Sequence, residues 1–135
     1  MTKTYLALAL LITVLASNAY GEEEVYFCAG TGSTGFYFNP IEKKYNPAKF
    51  KTYKFKIKLN RAPKEIKIKG HEVSTLNGRY TCGTAFLLSH FSCRNVMSQF
   101  NFNELNGRFV LSMGFGYAFA DKDTISIEYG TCDKF

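Results

Sequence analysis

Lys54, Lys56 and Lys58 alternate with Tyr53, Phe55, Ile57 and Leu59, and a period of two sets ammonium groups and apolar side chains on opposite faces of a strand. Farther on, Ile66 and Ile68 alternate with Lys67 and Lys69. Paired as a hairpin with both apolar faces inward, the two segments oppose Leu59 with Ile66 and Ile57 with Ile68. The same register opposes Lys58 with Lys67 and Lys56 with Lys69. Like charges facing each other across a sheet cost roughly a few tenths of a kcal/mol per pair, a cost that a bound anion would offset. Lys54, Lys56, Lys58, Lys67 and Lys69 are therefore the expected anion-binding residues. Three plainer readings compete: lysines that protect an exposed strand from edge pairing, the solvated face of an amphipathic strand, and a compositional bias toward lysine, 13 against 4 arginines.

Other chemistry is hard to assemble. Gly30-Thr31-Gly32-Ser33-Thr34-Gly35 matches G-x-G-x-x-G after a predicted strand, but a dinucleotide site needs a helix next. Phe36-Tyr37-Phe38-Asn39-Pro40 follows instead, so the glycines are expected to form a flexible turn and no nucleotide is expected. His71 follows the lysine strand and is expected to be exposed, whereas His90 sits beside Phe91. Ser89 adjoins His90, yet neighbours on a strand point to opposite faces. Glu22–Glu24 read as a solvated run, and Asp121 and Asp123 as turn residues. With no nucleophile, base and oxyanion set to name, no catalytic residue and no enzyme activity are expected. No cofactor is expected either. Tyr53 and Phe55 interleave with lysines as in a base-stacking platform, but alternation turns them toward the core, so nucleic acid ranks below other polyanions.

Cys28, Cys82, Cys93 and Cys132 carry neither a Cys-X-X-Cys motif nor metal-ligand spacing, so disulfides are expected and a metal site is not. Four cysteines allow three connectivities, among which sequence does not choose. The nested arrangement, Cys82–Cys93 closing a local loop and Cys28–Cys132 joining the terminal strands, is preferred because it would staple a closing seam.

The elements that must position these residues read as short strands between turn signals. Strands are expected at Val25–Ala29 and Gly35–Asn39, and at Phe50–Leu59 and Glu65–Lys69. Others are expected at Arg79–Leu88, His90–Cys93, Ser98–Phe102, Arg108–Phe119 and Thr124–Tyr129. Ile41–Lys49, with Pro47, is expected as a loop or short helical turn. Gly114 and Gly116 inside an aromatic strand suggest a bulge or bend. The fold class is all-β: a single small antiparallel β-barrel or sandwich of about 7–9 short strands, stapled by two disulfides.

Lys3, the apolar run Tyr5–Ala16 and small residues at Ala19 and Gly21 read as a signal peptide over residues 1–21, with cleavage after Ala19 or Gly21. The run is too short to span a membrane, no later segment is as apolar, and no lipobox cysteine or glycosylation sequon follows. Residues 22–135 would then be one exported domain, periplasmic or extracellular, with 16 basic against 11 acidic residues, a net charge of +5. Between Lys43 and Lys69 ten lysines and Arg61 are opposed by Glu65 alone, a net of +10. Such polarity gives a basic face and an acidic remainder.

Ser74-Thr75-Leu76-Asn77-Gly78-Arg79-Tyr80 loosely resembles the Ser-Gly-x-x-Tyr loop of the small periplasmic lysozyme inhibitors, themselves disulfide-containing β-barrels. The resemblance covers seven residues and departs from the motif, because one residue separates Gly78 from Tyr80. It implies docking onto a basic enzyme, for which a +5 chain has the wrong sign of charge, and no membership follows. The expected function is a secreted or periplasmic disulfide-bonded binding protein whose lysine-rich sheet face meets an anionic surface, an envelope glycan or lipid. The alternative is a protein-interaction module or enzyme inhibitor using Gly30–Gly35 or Asn103–Gly107.

Overall fold

The alternation around Lys54–Leu59 becomes a strand whose apolar face is fully buried: Phe55, Ile57 and Leu59 lie inside, and Lys54 and Lys56 face solvent. A computed structural model describes residues 23–83, 89–119 and 123–135. The expected leader over residues 1–21, Glu22, the far end of the strand expected over Arg79–Leu88 and part of the expected Asp121–Asp123 turn lie outside these residues.

Nine strands form one antiparallel sheet: β1 (Glu24–Asn39), β2 (Lys44–Lys49), β3 (Lys54–Arg61), β4 (Lys64–Lys69), β5 (Gly78–Cys82), β6 (His90–Arg94), β7 (Ser98–Asn103), β8 (Arg108–Met113) and β9 (Ile125–Lys134). A 3-10 turn at Ser74–Leu76 and a short helix α1 (Phe115–Phe119) complete the described elements. From β3 to β9 each strand pairs with the next, and β1 pairs with both β3 and β9. Eight strands therefore close into a barrel, not a sandwich, and β2 adds a ninth.

β1 makes the closure. One edge pairs with β9 from Tyr26 to Phe36. The other pairs with β3 over Glu24–Ala29 and then with β2 over Thr34–Asn39. Thus β2 and β3 are two parts of one run antiparallel to β1, interrupted at residues 50–53. Gly30–Gly35 is not the expected turn; it continues β1, so the two strands expected on either side are one. A bulge between Gly30 and Gly32 shifts the β9 register there, and the glycines admit close neighbours. A Cβ on Gly30 would lie 2.0 Å from Glu128 Oε1, and one on Gly130 would lie 2.1 Å from the Ala29 carbonyl oxygen.

Two further expectations change. The segment 44–49 is a strand despite Pro47. Phe50 donates its N–H to Ser33 O at 3.0 Å, and antiparallel alternation then turns position 47 toward the free edge, where Pro47 gives up no ladder bond. The strand expected over Arg108–Phe119 stops at Met113 and continues as α1. Gly116 lets that helix pack on Asp123, whose Oδ2 would lie 1.7 Å from an added Cβ.

Inward positions of every barrel strand fill the interior. Tyr80, Phe91, Phe100, Phe102 and Phe109 are fully buried with Ile57, Leu59, Ile66 and Ile68. Phe100 stacks on Phe109 with ring centroids 5.6 Å apart, and Phe55 meets Phe109 edge-on at 5.2 Å. Tyr80 cannot ionise cheaply among these rings, and burial raises its pKa. Its hydroxyl donates to Leu76 O at 2.9 Å and lies 2.6 Å from Ser98 Oγ. The Ser74–Tyr80 segment is thus anchored into the core by its tyrosine.

The disulfides are Cys28–Cys132 and Cys82–Cys93, the nested pair preferred from sequence. Each joins residues directly opposed in register. Two disulfides fit an oxidising, exported environment. Among the described residues no helix is long and apolar enough to cross a membrane.

Candidate functional site

The β3–β4 hairpin has the register read from its sequence: Leu59 faces Ile66, Ile57 faces Ile68, Lys58 faces Lys67 and Lys56 faces Lys69. A turn through Ala62 and Pro63 joins the strands. Lys54, Lys56, Lys67 and Lys69 are exposed, and Lys58 is half-buried. On the next strand Arg79 stands opposite Lys67, so the outward row Lys58, Lys67, Arg79 runs across three strands. Arg79 is not among the anion-binding residues expected from sequence, because its place beside Lys67 is set only by tertiary pairing.

Carboxylates engage part of this row. Glu23 Oε2 accepts from Lys58 Nζ at 2.6 Å, and Arg79 Nε lies 3.2 Å from Glu65 Oε2. The hydrogen bond from Lys58, with the nearby Lys69 and Lys67 charges, holds the Glu23 carboxyl below its ordinary range. Among the described residues Lys54, Lys56, Lys67 and Lys69 have no carboxylate within 4.0 Å. Six like charges are therefore gathered and two, Lys58 and Arg79, are neutralised locally. The acidic N-terminal run is likewise not simply solvated: Glu24 accepts from Arg61 and Lys134, and Arg61 also donates to Glu104.

Beside the hairpin lies an open cleft of about 490 Å³, lined by Phe27, Ala29, Lys54, Lys56, Lys69 and Asp133 among others. Phe27 is outward-facing and 41% exposed, because β1 alternates Tyr26 and Cys28 inward. Lys56 Nζ sits 5.1 Å from the Phe27 ring centroid, and Phe135 meets the ring edge-on at 5.4 Å. Alternation around Cys28 was the available signal for Phe27; its place beside Lys56 follows from the Phe27↔Lys56 pairing.

A second polar group lies inside the barrel. His71, expected to be exposed, is 4% exposed, and Glu128 is 5% exposed. His71 Nε2 is 3.5 Å from Glu128 Oε2 and has no hydrogen-bond partner among the described residues. Val73 N–H donates to His71 Nδ1 at 3.1 Å, and Tyr53 N–H donates to Glu128 Oε1 at 2.9 Å. The rings of Tyr53 and Phe55 pack on the imidazole at 4.8 and 5.2 Å. The burial follows from β4 ending at Lys69, after which Gly70, at φ 75°, turns the chain over the barrel end. Glu128 fills the ladder gap at residues 50–53 by accepting the Tyr53 amide.

Among the described residues no group of three or more His, Cys, Asp or Glu is placed to hold a metal ion. His90 opens β6 opposite Asn103, away from His71. Compared with protein-family models, curated proteins and solved structures, the chain matches none of them. What defines the candidate site is therefore its own geometry: a lysine-rich strand pair flanking an aromatic cleft on the outside of a disulfide-bonded eight-stranded barrel.

Proposed function

We propose that this chain is an exported binding protein whose lysine-rich β3–β4 face engages an anionic surface, an envelope glycan or lipid. One observation carries the reading: Lys56 opposes Lys69 and Lys58 opposes Lys67 on an outward face, while Lys54, Lys56, Lys67 and Lys69 lack carboxylate partners among the described residues. Opposed ammonium groups repel, and a polyanion would relieve that repulsion. Lysine makes point-charge contacts without the bidentate geometry of arginine, so binding is more electrostatic than selective. The two disulfides support maturation outside the cytoplasm.

The test is retention of the oxidised protein on heparin and on anionic vesicles across a salt gradient, beside a K54E/K56E/K67E/K69E variant. Retention lost in salt and in the variant is expected. Equal elution of both proteins would overturn the reading. The alternative interaction module retains only Asn103–Gly107 as a loop, since Gly30–Gly35 is strand; it calls for affinity that salt does not change.

A further inference from the structure

The cleft beside the lysines has an apolar floor, and a purely polar polyanion leaves that floor unused. Phe27 and Ala29 form its centre on β1, with Lys54 and Lys56 on β3 and Lys69 on β4 along one side. Asp133 stands opposite Phe27 on β9 and repels anions from the other side. Farther along the outer face, past Ala29, Thr131 and Arg108, apolar exposure resumes. Gly32 pairs with Tyr129, Tyr129 with Val110, and Ile127 with Thr34, and Tyr129, Val110 and Ile127 are each at least 40% exposed. One outer surface thus carries an apolar strip on β8, β9 and β1 bordered by ammonium groups on β3 and β4. An exposed apolar patch of this kind marks a contact surface.

Resting on the anionic-surface reading above, we infer that the occupant is an anionic lipid at a bilayer surface. Its acidic headgroup meets Lys54, Lys56 and Lys69, and its acyl region lies on Phe27 and the strip beyond. The charge pattern suits that ligand: ammonium groups at one border, apolar side chains beyond, Asp133 confining the headgroup to the β3–β4 side, and Arg108 a second cation between Phe27 and Tyr129. Aromatic side chains with neighbouring lysines are also the composition that settles at a membrane interface, the lysine stems lying along apolar surface while their heads stay wet. A glycan could set the C–H face of one sugar on the Phe27 ring but would leave the apolar side chains beyond it unused. The volume of about 490 Å³ falls within the roughly 300–1,000 Å³ of ligand sites.

The experiment is flotation of the oxidised protein with vesicles of equal phosphatidylglycerol and phosphatidylcholine, with phosphatidylcholine-only vesicles and a heparin column alongside. Wild type, Phe27→Ser, Phe27→Leu and the four-lysine reversal are compared, each first shown to keep its melting temperature and near-ultraviolet dichroism. Wild type should bind only the anionic vesicles. Phe27→Ser should lower that partition about tenfold, equivalent to about 1.4 kcal/mol, with Phe27→Leu restoring most of it and neither changing heparin elution. Full vesicle binding by Phe27→Ser, or heparin binding without vesicle binding, would overturn the lipid assignment and leave the anionic-surface reading standing. Undiminished binding of both probes by the lysine reversal would overturn the anionic-surface reading itself. Sedimentation of wild type as a dimer and Phe27→Ser as a monomer would assign the strip to a second copy, and so would also overturn the lipid assignment.

Discussion

His71 Nε2 stands 3.5 Å from Glu128 Oε2 within the barrel, and the same carboxylate accepts the Tyr53 amide through its other oxygen. Because Val73 N–H donates to Nδ1, a neutral His71 carries its proton on Nε2, facing Glu128. Removing the carboxylate strands the part-buried Tyr53 amide and takes from His71 Nε2 the acceptor it faces at 3.5 Å. Glu128→Ala should therefore lower stability by about 2 kcal/mol. Glu128→Gln, which keeps an acceptor for Tyr53, should cost roughly 1 kcal/mol. Urea unfolding measures both, and equal losses would show that the Tyr53 acceptor contributes nothing.

The crossing of β1 and β9 predicts an ordering of glycine variants. Gly130→Ala drives a methyl to 2.1 Å from the Ala29 carbonyl, a backbone contact that no rotamer change relieves. It should cost about 3 kcal/mol. Gly83→Ala meets none of the described residues within 4 Å and should stay within about 0.5 kcal/mol of wild type. Melting temperatures of the pair decide the matter.

The disulfides should differ in value. Cys28 and Cys132 are 104 residues apart, Cys82 and Cys93 only 11. In the chain-entropy account the long loop contributes about 4.7 kcal/mol and the short one about 3 kcal/mol. The C28A/C132A pair should consequently unfold at lower denaturant than C82A/C93A, and the reverse order would refute the entropic explanation here.

Glu24 predicts part of the acid response. The hydrogen bond from Lys134, followed by that from Arg61, holds its carboxyl below the ordinary 4.5. A carboxyl depressed in the folded state stabilises above its unfolded value and loses that contribution as pH falls through the lower, folded one. Its partners are half exposed to solvent, so screening limits the effect to at most about 1 kcal/mol. Glu24→Gln should be less stable than wild type at pH 7 and indistinguishable from it well below pH 4. A difference that persists in acid would point to lost packing instead of lost charge.

Legibility followed distance along the chain. The β3–β4 register could be read because Leu59, Ile57, Ile66 and Ile68 fix the inward face within one hairpin, and the lysine oppositions come with it. The nested disulfides are the exception to distance, because a sheet that closes on itself brings Cys28 and Cys132 together across the seam. His71 was misplaced because its partner, Glu128, lies on the last strand, and a lone histidine after a polar strand carries no trace of it. Gly30–Gly35 misled for a related reason: its glycines look like a turn, yet they clear space for Glu128 and Tyr129 arriving from β9. Pro47 looked like a strand breaker because a sequence does not say which edge its missing donor faces. Phe27 and Arg79 joined the lysines only through pairings with distant segments.

Barrel closure leaves β2 with its outer edge open, since its described pairing is with β1 alone. That edge is where strands from other molecules could add and propagate. Pro47 withholds a donor there, and Lys44 and Lys49 place charge at both ends of the strand. The proline that made this segment look like a loop is thus a guard against fibril growth, kept where the cylinder cannot protect itself.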